Sequence, residues 1–148
     1  MIWLCIGAGI YWLDFFVKNL AEKKLSGKGR QKVGETGFFL QLVHNKGFAL
    51  NLLEKHPELV RCLQAVLMGL IGLYSVIKVF FRTGKNLTSL GFAMILGGGA
   101  SNLFDRVKRG YVVDYLGLPK IKKIVFNLSD LFIFLGSFLI LFGELKEK

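Results

Sequence analysis

Leu87–Phe104 reads LTSLGFAMILGGGASNLF, 18 residues without a charge, and it stops at Asp105-Arg106. A helix that crosses a bilayer needs about 17–25 mostly apolar residues, so this run is long enough to span. Three other stretches read the same way. Met1–Val17 is apolar apart from Asp14. Cys62–Ile77 is uncharged, and Val79–Phe81 extends it past Lys78. Leu128–Gly143 carries only Asp130. The expected spans are therefore about residues 1–17, 60–81, 87–105 and 127–143, with longer loops over 18–59 and 106–126. One integral membrane domain over residues 1–148 follows: an all-α four-helix transmembrane bundle carrying a small β element on the membrane surface.

Composition agrees once charge is placed along the chain. Of its 148 residues 53% are hydrophobic, yet 20 Lys+Arg against 10 Asp+Glu give a net charge of +10. A basic soluble domain would suggest nucleic acid. Here the charge is absent over long runs and dense between them, so no nucleic-acid partner is expected and a disordered chain is excluded. The first span lacks a basic segment before its apolar run and holds Asp14, so it reads as a retained helix rather than a signal peptide. Gly69, Gly72 and the run Gly97–Gly99 are expected to bring helix backbones close. Cys5 and Cys62 fall at opposite ends of two spans and are expected to stay unpaired.

Four spans put both termini on one side and both longer loops on the other. Taken as Lys18–Arg61 and Arg106–Asn127, those loops hold 15 of the 20 basic residues, and the excess of Lys and Arg on cytoplasmic loops would place them inside the cell. Within the first loop, Thr36–Leu53 is apolar again but broken by His44-Asn45-Lys46-Gly47, which suggests a hairpin turning at Asn45-Lys46-Gly47. Tyr111–Leu116 could add a strand.

The chain has four aspartates, Asp14, Asp105, Asp114 and Asp130, and three lie in or at the ends of spans. An ionisable group there is costly and marks function by default. Parity puts Asp14, Asp105 and Asp130 at the same membrane face. Asp105 and Asp130 share a local pattern, Asn102-x-x-Asp105 and Asn127-x-x-Asp130, which on a helix sets an amide beside each carboxylate. Capping explains Asp130 well, but Asp105 closes a helix, where negative charge is unfavourable. Two close carboxylates share one proton. The charged member can take a proton from water, and the protonated one can serve the carbonyl and the leaving amine. That is aspartic-protease chemistry, with no cofactor and no metal. Asp14 and Lys18 are four apart and read as an ion pair, and Asp114 reads as structural.

At this point the residues resemble a known family. Gly98-Gly99-Ala100-Ser101-Asn102-Leu103-Phe104-Asp105-Arg106, then Gly110–Tyr115, then Phe126-Asn127-Leu128-Ser129-Asp130 resemble the motifs of the lipoprotein signal peptidases. Asp14-x-x-x-Lys18 and Asn45-Lys46-Gly47-Phe48-Ala49 resemble two further motifs of that family, in the same order along the chain. Small departures are Ser101 where Gly is common, Tyr115 where Phe is common and Ser129 where Ala is usual.

The resemblance implies a membrane aspartic endopeptidase that removes signal peptides from prolipoproteins, cutting before a diacylglyceryl-modified Cys. It implies Asp105 and Asp130 as the catalytic pair. Asn102, Asn127, Asn45, Gly47, Arg106, Asp14, Lys18 and Asp114 are then site supports or substrate contacts. It also implies a site and β element on the extracytoplasmic side of the bacterial inner membrane, against the vote of the basic loops; a monomer is the expected state. Those loops are expected to meet anionic lipid headgroups or the lipidated substrate. Two other classes remain in view. A proton or ion pathway would spread its charges across the bilayer depth, and a structural subunit would tolerate Asn at both Asp positions.

Overall fold

The structure is a computed structural model that describes residues 1–48, 52–81, 86–118 and 124–146. Four helices, α1 (Ile2–Leu25), α2 (Pro57–Phe81), α3 (Asn86–Lys108) and α4 (Leu128–Leu145), are long and apolar enough to cross a membrane. The strands are β1 (Gln31–Lys32), β2 (Phe39–Asn45), β3 (Val112–Gly117) and β4 (Val125–Phe126). Large apolar side chains such as Leu70, Leu141 and Phe142 point outward, which suits a protein whose surrounding solvent is lipid. The chain is a multi-pass membrane protein.

Helix α3 is the central post, packed against α1, α2 and α4. Small residues let it do so. A Cβ at Gly91 would lie 2.6 Å from the Gly136 carbonyl oxygen of α4, and one at Gly97 would lie 2.5 Å from the Gly7 oxygen of α1. With little hydrophobic force between helices in lipid, such backbone contact is a main source of association. Gly69 and Gly72 behave otherwise: around Gly69 there is open space, and Gly72 meets only the tip of Leu96. The backbone approach expected of that pair does not occur.

The helix ends also differ from expectation. Helix α1 runs on to Leu25, past the Val17 boundary. Lys18 does not end it, because Asp14 neutralises Lys18 one turn away at 2.7 Å, with both side chains fully buried. Helix α3 likewise continues through Arg106 to Lys108.

The sheet is antiparallel, in the order β1-β2-β3-β4. Val113 and Tyr115 of β3 pack on Ala21 and Leu25, so the sheet rests on the end of α1. Tyr111–Leu116 does supply a strand. The hairpin expected at Asn45-Lys46-Gly47 is absent among the described residues: β2 ends at Asn45 and pairs with β1 and β3. Asn45 explains the difference, since its Oδ1 accepts from the Gly47 backbone N–H at 3.0 Å, an Asx turn that leads the chain out of the ladder. Ala49 and the rest of residues 49–51 lie outside the described residues, as do Lys120, Lys122 and Lys123. Cys5 and Cys62 are free.

Candidate active site

Helix α4 begins with a capping box. Asn127 Oδ1 accepts from the Asp130 backbone N–H at 3.1 Å, and Asp130 Oδ2 accepts from the Asn127 N–H at 3.2 Å. Each side chain satisfies a donor that the helix leaves open, so Asp130 is fixed at the helix start. Its other oxygen, Oδ1, accepts from Asn102 Nδ2 of α3 at 2.9 Å.

A buried knot of polar groups lies behind it. Asp14 Oδ1 accepts from the Ser129 N–H at 2.9 Å, and Asp14 Oδ2 accepts from Ser101 Oγ at 2.5 Å. One carboxylate thereby ties α1 to α3 and α4. Lys18 donates to Asn102 Oδ1 at 2.7 Å and pairs with Asp105 Oδ2 at 3.4 Å. Asp105 Oδ2 also accepts from the Val113 N–H at 3.2 Å, and Asp105 Oδ1 meets Arg109 Nε at 2.9 Å. At 1% exposure, Asp105 is enclosed between two cations and the start of β3. Outside it, Glu22 Oε1 gathers His44, Tyr111 and Arg109, which closes the knot toward solvent.

The open side is different. Between α2, α3 and α4 lies a cavity of about 700 Å³, with Asp114 and Asp130 on its wall near the sheet. Leu67, Ile71, Ile133 and Phe134 continue it along the helices as an apolar trough. Asp114 sits on β3. Asn127 Nδ2 donates to its Oδ1 at 2.7 Å and Asn45 Nδ2 to its Oδ2 at 3.0 Å. Burial, and then the charge of Asp130, push the Asp114 carboxyl up to about 7, although the two amide donors pull the other way.

Arg106 also lines the cavity. Its Nη1 donates to Gln64 Oε1 of α2 at 2.9 Å and its Nη2 to the Gly47 carbonyl at 2.5 Å. Its Nε finds no partner among the described residues.

The structure thus separates the expected site residues into two groups. Asn45, Asn102, Arg106, Asp114 and Asp130 line the cavity. Asn127 and Gly47 support them from behind. Asp14, Lys18 and Asp105 belong to the closed knot. The expected Asp105–Asp130 pair is not what the cavity presents: Asp105 is absent from its wall and engaged by Lys18 and Arg109, and Asp114 takes its place. The amide pattern also works differently from the reading above. Asn102 serves Asp130 rather than its neighbour Asp105, and Asn127 serves Asp114 as well as Asp130. Gln64, 8% exposed on the wall, went unnoticed in the sequence. Its signal was a polar side chain inside the uncharged run Cys62–Ile77.

Four candidate spans around a polar site with paired aspartates define a polytopic membrane protein of enzymatic type. Residues 6–146 match the family model for signal peptidase (SPase) II, so the chain belongs to the signal peptidase II family and is a peptidase. Its relatives include the lipoprotein signal peptidase of Caldanaerobacter subterraneus subsp. tengcongensis, 38% identical over 93% of this chain and 91% of the relative. The lipoprotein signal peptidase of Caldicellulosiruptor bescii is 33% identical over 99% of this chain and 93% of its own. A bacterial membrane enzyme solved by the in meso method at 2.3 Å has the same fold, with a TM-score of 0.81 and 19% identity over 99% of this chain and 88% of that one.

Proposed function

We propose that this chain removes signal peptides from prolipoproteins, cutting the bond before a diacylglyceryl-modified Cys, and that Asp114 and Asp130 are the catalytic pair. The observation that carries the pair is their shared place on the wall of one cavity, with Asn127 hydrogen-bonded to both. Family membership supports the substrate class. The apolar trough below the pair suits the hydrophobic stem of a signal peptide lying between α2 and α4.

The chemistry follows from the two environments. Burial and the neighbouring Asp130 push the Asp114 carboxyl up to about 7, so Asp114 is assigned the role of acid and Asp130 that of base. Asp130 takes a proton from water as the water oxygen attacks the scissile carbonyl carbon. Asp114 gives its proton to the carbonyl oxygen, forming a neutral tetrahedral diol. Asp130 then gives its proton to the amide nitrogen while Asp114 takes one back from a diol hydroxyl, so the C–N bond breaks, an acid and an amine are released and both carboxyls return to their starting states. Asn102, Asn127 and Asn45 position the two carboxylates, and no step calls for a metal or cofactor.

On this reading the enzyme works as a monomer in the bacterial inner membrane with the pair facing away from the cytoplasm. Exposed Lys28, Arg30, Lys32, Lys46 and Lys108 lie at the same face, where each could contribute about 1 kcal/mol toward an anionic lipid surface. Cleavage of a lipidated prolipoprotein by the purified protein, and none of its unlipidated form, is the expected result. Equal cleavage of both would remove the lipid from the recognition. Thiol labelling of a cysteine placed at Lys108 tests orientation: reaction with an impermeant reagent from outside the cell is expected, and labelling only from the cytoplasm would reverse the topology.

A further inference from the structure

We infer that Gln64 is a positioning residue that links α2 to the carboxyl of Asp114. The link is continuous in hydrogen bonds. Gln64 Oε1 accepts from Arg106 Nη1 at 2.9 Å, and Arg106 Nη2 donates to the Gly47 carbonyl at 2.5 Å. The Gly47 N–H donates to Asn45 Oδ1 at 3.0 Å, and Asn45 Nδ2 donates to Asp114 Oδ2 at 3.0 Å. Each group in this chain has its direction fixed by the next. The Asn45 amide cannot flip, because its oxygen is held by Gly47 and its nitrogen by Asp114.

Gln64 is anchored at its other end too. Its Nε2 donates to the Gly99 carbonyl of α3 at 3.1 Å. One turn further along α2, Met68 Sδ fills the space that a Cβ on Gly99 would need, so α2 and α3 also interlock beside this hydrogen bond. A buried amide on a membrane helix is costly unless both of its ends are used, and both are. The same helix forms one wall of the cavity. A substrate stem wedged between α2 and α4 would therefore press on the element that sets Arg106, the Asn45–Gly47 turn and, through them, Asp114.

The inference rests on Asp114 belonging to the catalytic pair, and the test separates the two ideas. Cleavage by wild-type enzyme and its loss in Asp114→Asn decide the pair. The Gln64 variants are then read against wild type in the same detergent. Gln64→Met keeps the volume and removes both hydrogen bonds. It is expected to lower kcat by about tenfold or more with KM changed by less than about threefold. It should also move the falling limb of the pH–rate profile upward, because Arg106, and through it the Asn45–Gly47 turn, is held less firmly against Asp114. Gln64→Glu keeps the acceptor for Arg106 and should recover most of kcat. Wild-type kcat in Gln64→Met would overturn the inference. So would a Gln64→Met that is less stable yet keeps an unshifted pH profile, or a Gln64→Glu as impaired as Gln64→Met.

Discussion

Two pairs of aspartates sit at the same end of the helix bundle, beside the sheet, and meet opposite fates. Asp14 and Asp105 share the Lys18 ammonium, with Asp105 also on Arg109, and neither reaches the cavity. Asp114 and Asp130 are held by neutral amides, Asn45, Asn102 and Asn127, and line the cavity. A carboxylate enclosed by buried cations has its oxygens already engaged and turned away from the cavity. A carboxylate held by amides keeps the option of carrying a proton. That contrast, rather than spacing along the chain, is the basis on which Asp114 and Asp130 are proposed as the catalytic pair.

The strongest way to break the contrast is to neutralise one member of each pair. Asp130→Asn and Asp114→Asn should each lower cleavage by about 10³-fold or more while the protein stays folded, as read by melting in detergent and by turnover of a lipidated substrate. Asp105→Asn should do the reverse. Removing one partner of a buried ion pair costs about 3 kcal/mol, so its melting temperature should fall while the folded fraction still cleaves.

A smaller effect concerns pH. Protonated Asp114 is needed as the acid, so kcat/KM should fall as pH rises through about 7. Asn45→Ala removes a donor that favours the charged form. The falling limb should then move up by about half a unit to one unit. Stability has a matching sign. Between the ordinary value of 3.8 and about 7 the folded state holds the Asp114 proton that the unfolded chain releases, so stability should decline as pH rises through that window. Asp114→Asn should flatten that decline in a melting series from pH 4 to pH 8. The smallest change is expected at Ser129. Its hydroxyl is buried with no partner among the described residues, so Ser129→Ala should raise stability by about 1 kcal/mol and leave cleavage unaltered.

The four spans were legible because hydrocarbon tolerates few charges over a helix length, and that shows in composition alone. Their ends were not. Lys18 and Arg106 look like loop residues until their buried partners are known. Asp130 was legible for a local reason, since Asn127 and Asp130 form a capping box within one turn. Asp114 was not legible, because its place on the cavity wall depends on how β3 pairs with β2 and lies beside α4. The Asn102-x-x-Asp105 spacing misled for a related reason. It sets the two residues on adjoining parts of one helix, but Asn102 reaches across to Asp130 while Asp105 turns to Lys18 and Arg109. Only tertiary packing separates those directions.

The decisive measurement is turnover of one lipidated prolipoprotein by purified Asp114→Asn and Asp105→Asn side by side, each corrected for its folded fraction. No detectable cleavage by Asp114→Asn, with Asp105→Asn within about tenfold of wild type, is the result expected if general acid–base chemistry resides on the cavity wall. A folded Asp105→Asn that cannot cleave, beside an Asp114→Asn that can, would return the catalytic role to Asp105 and contradict the division drawn above.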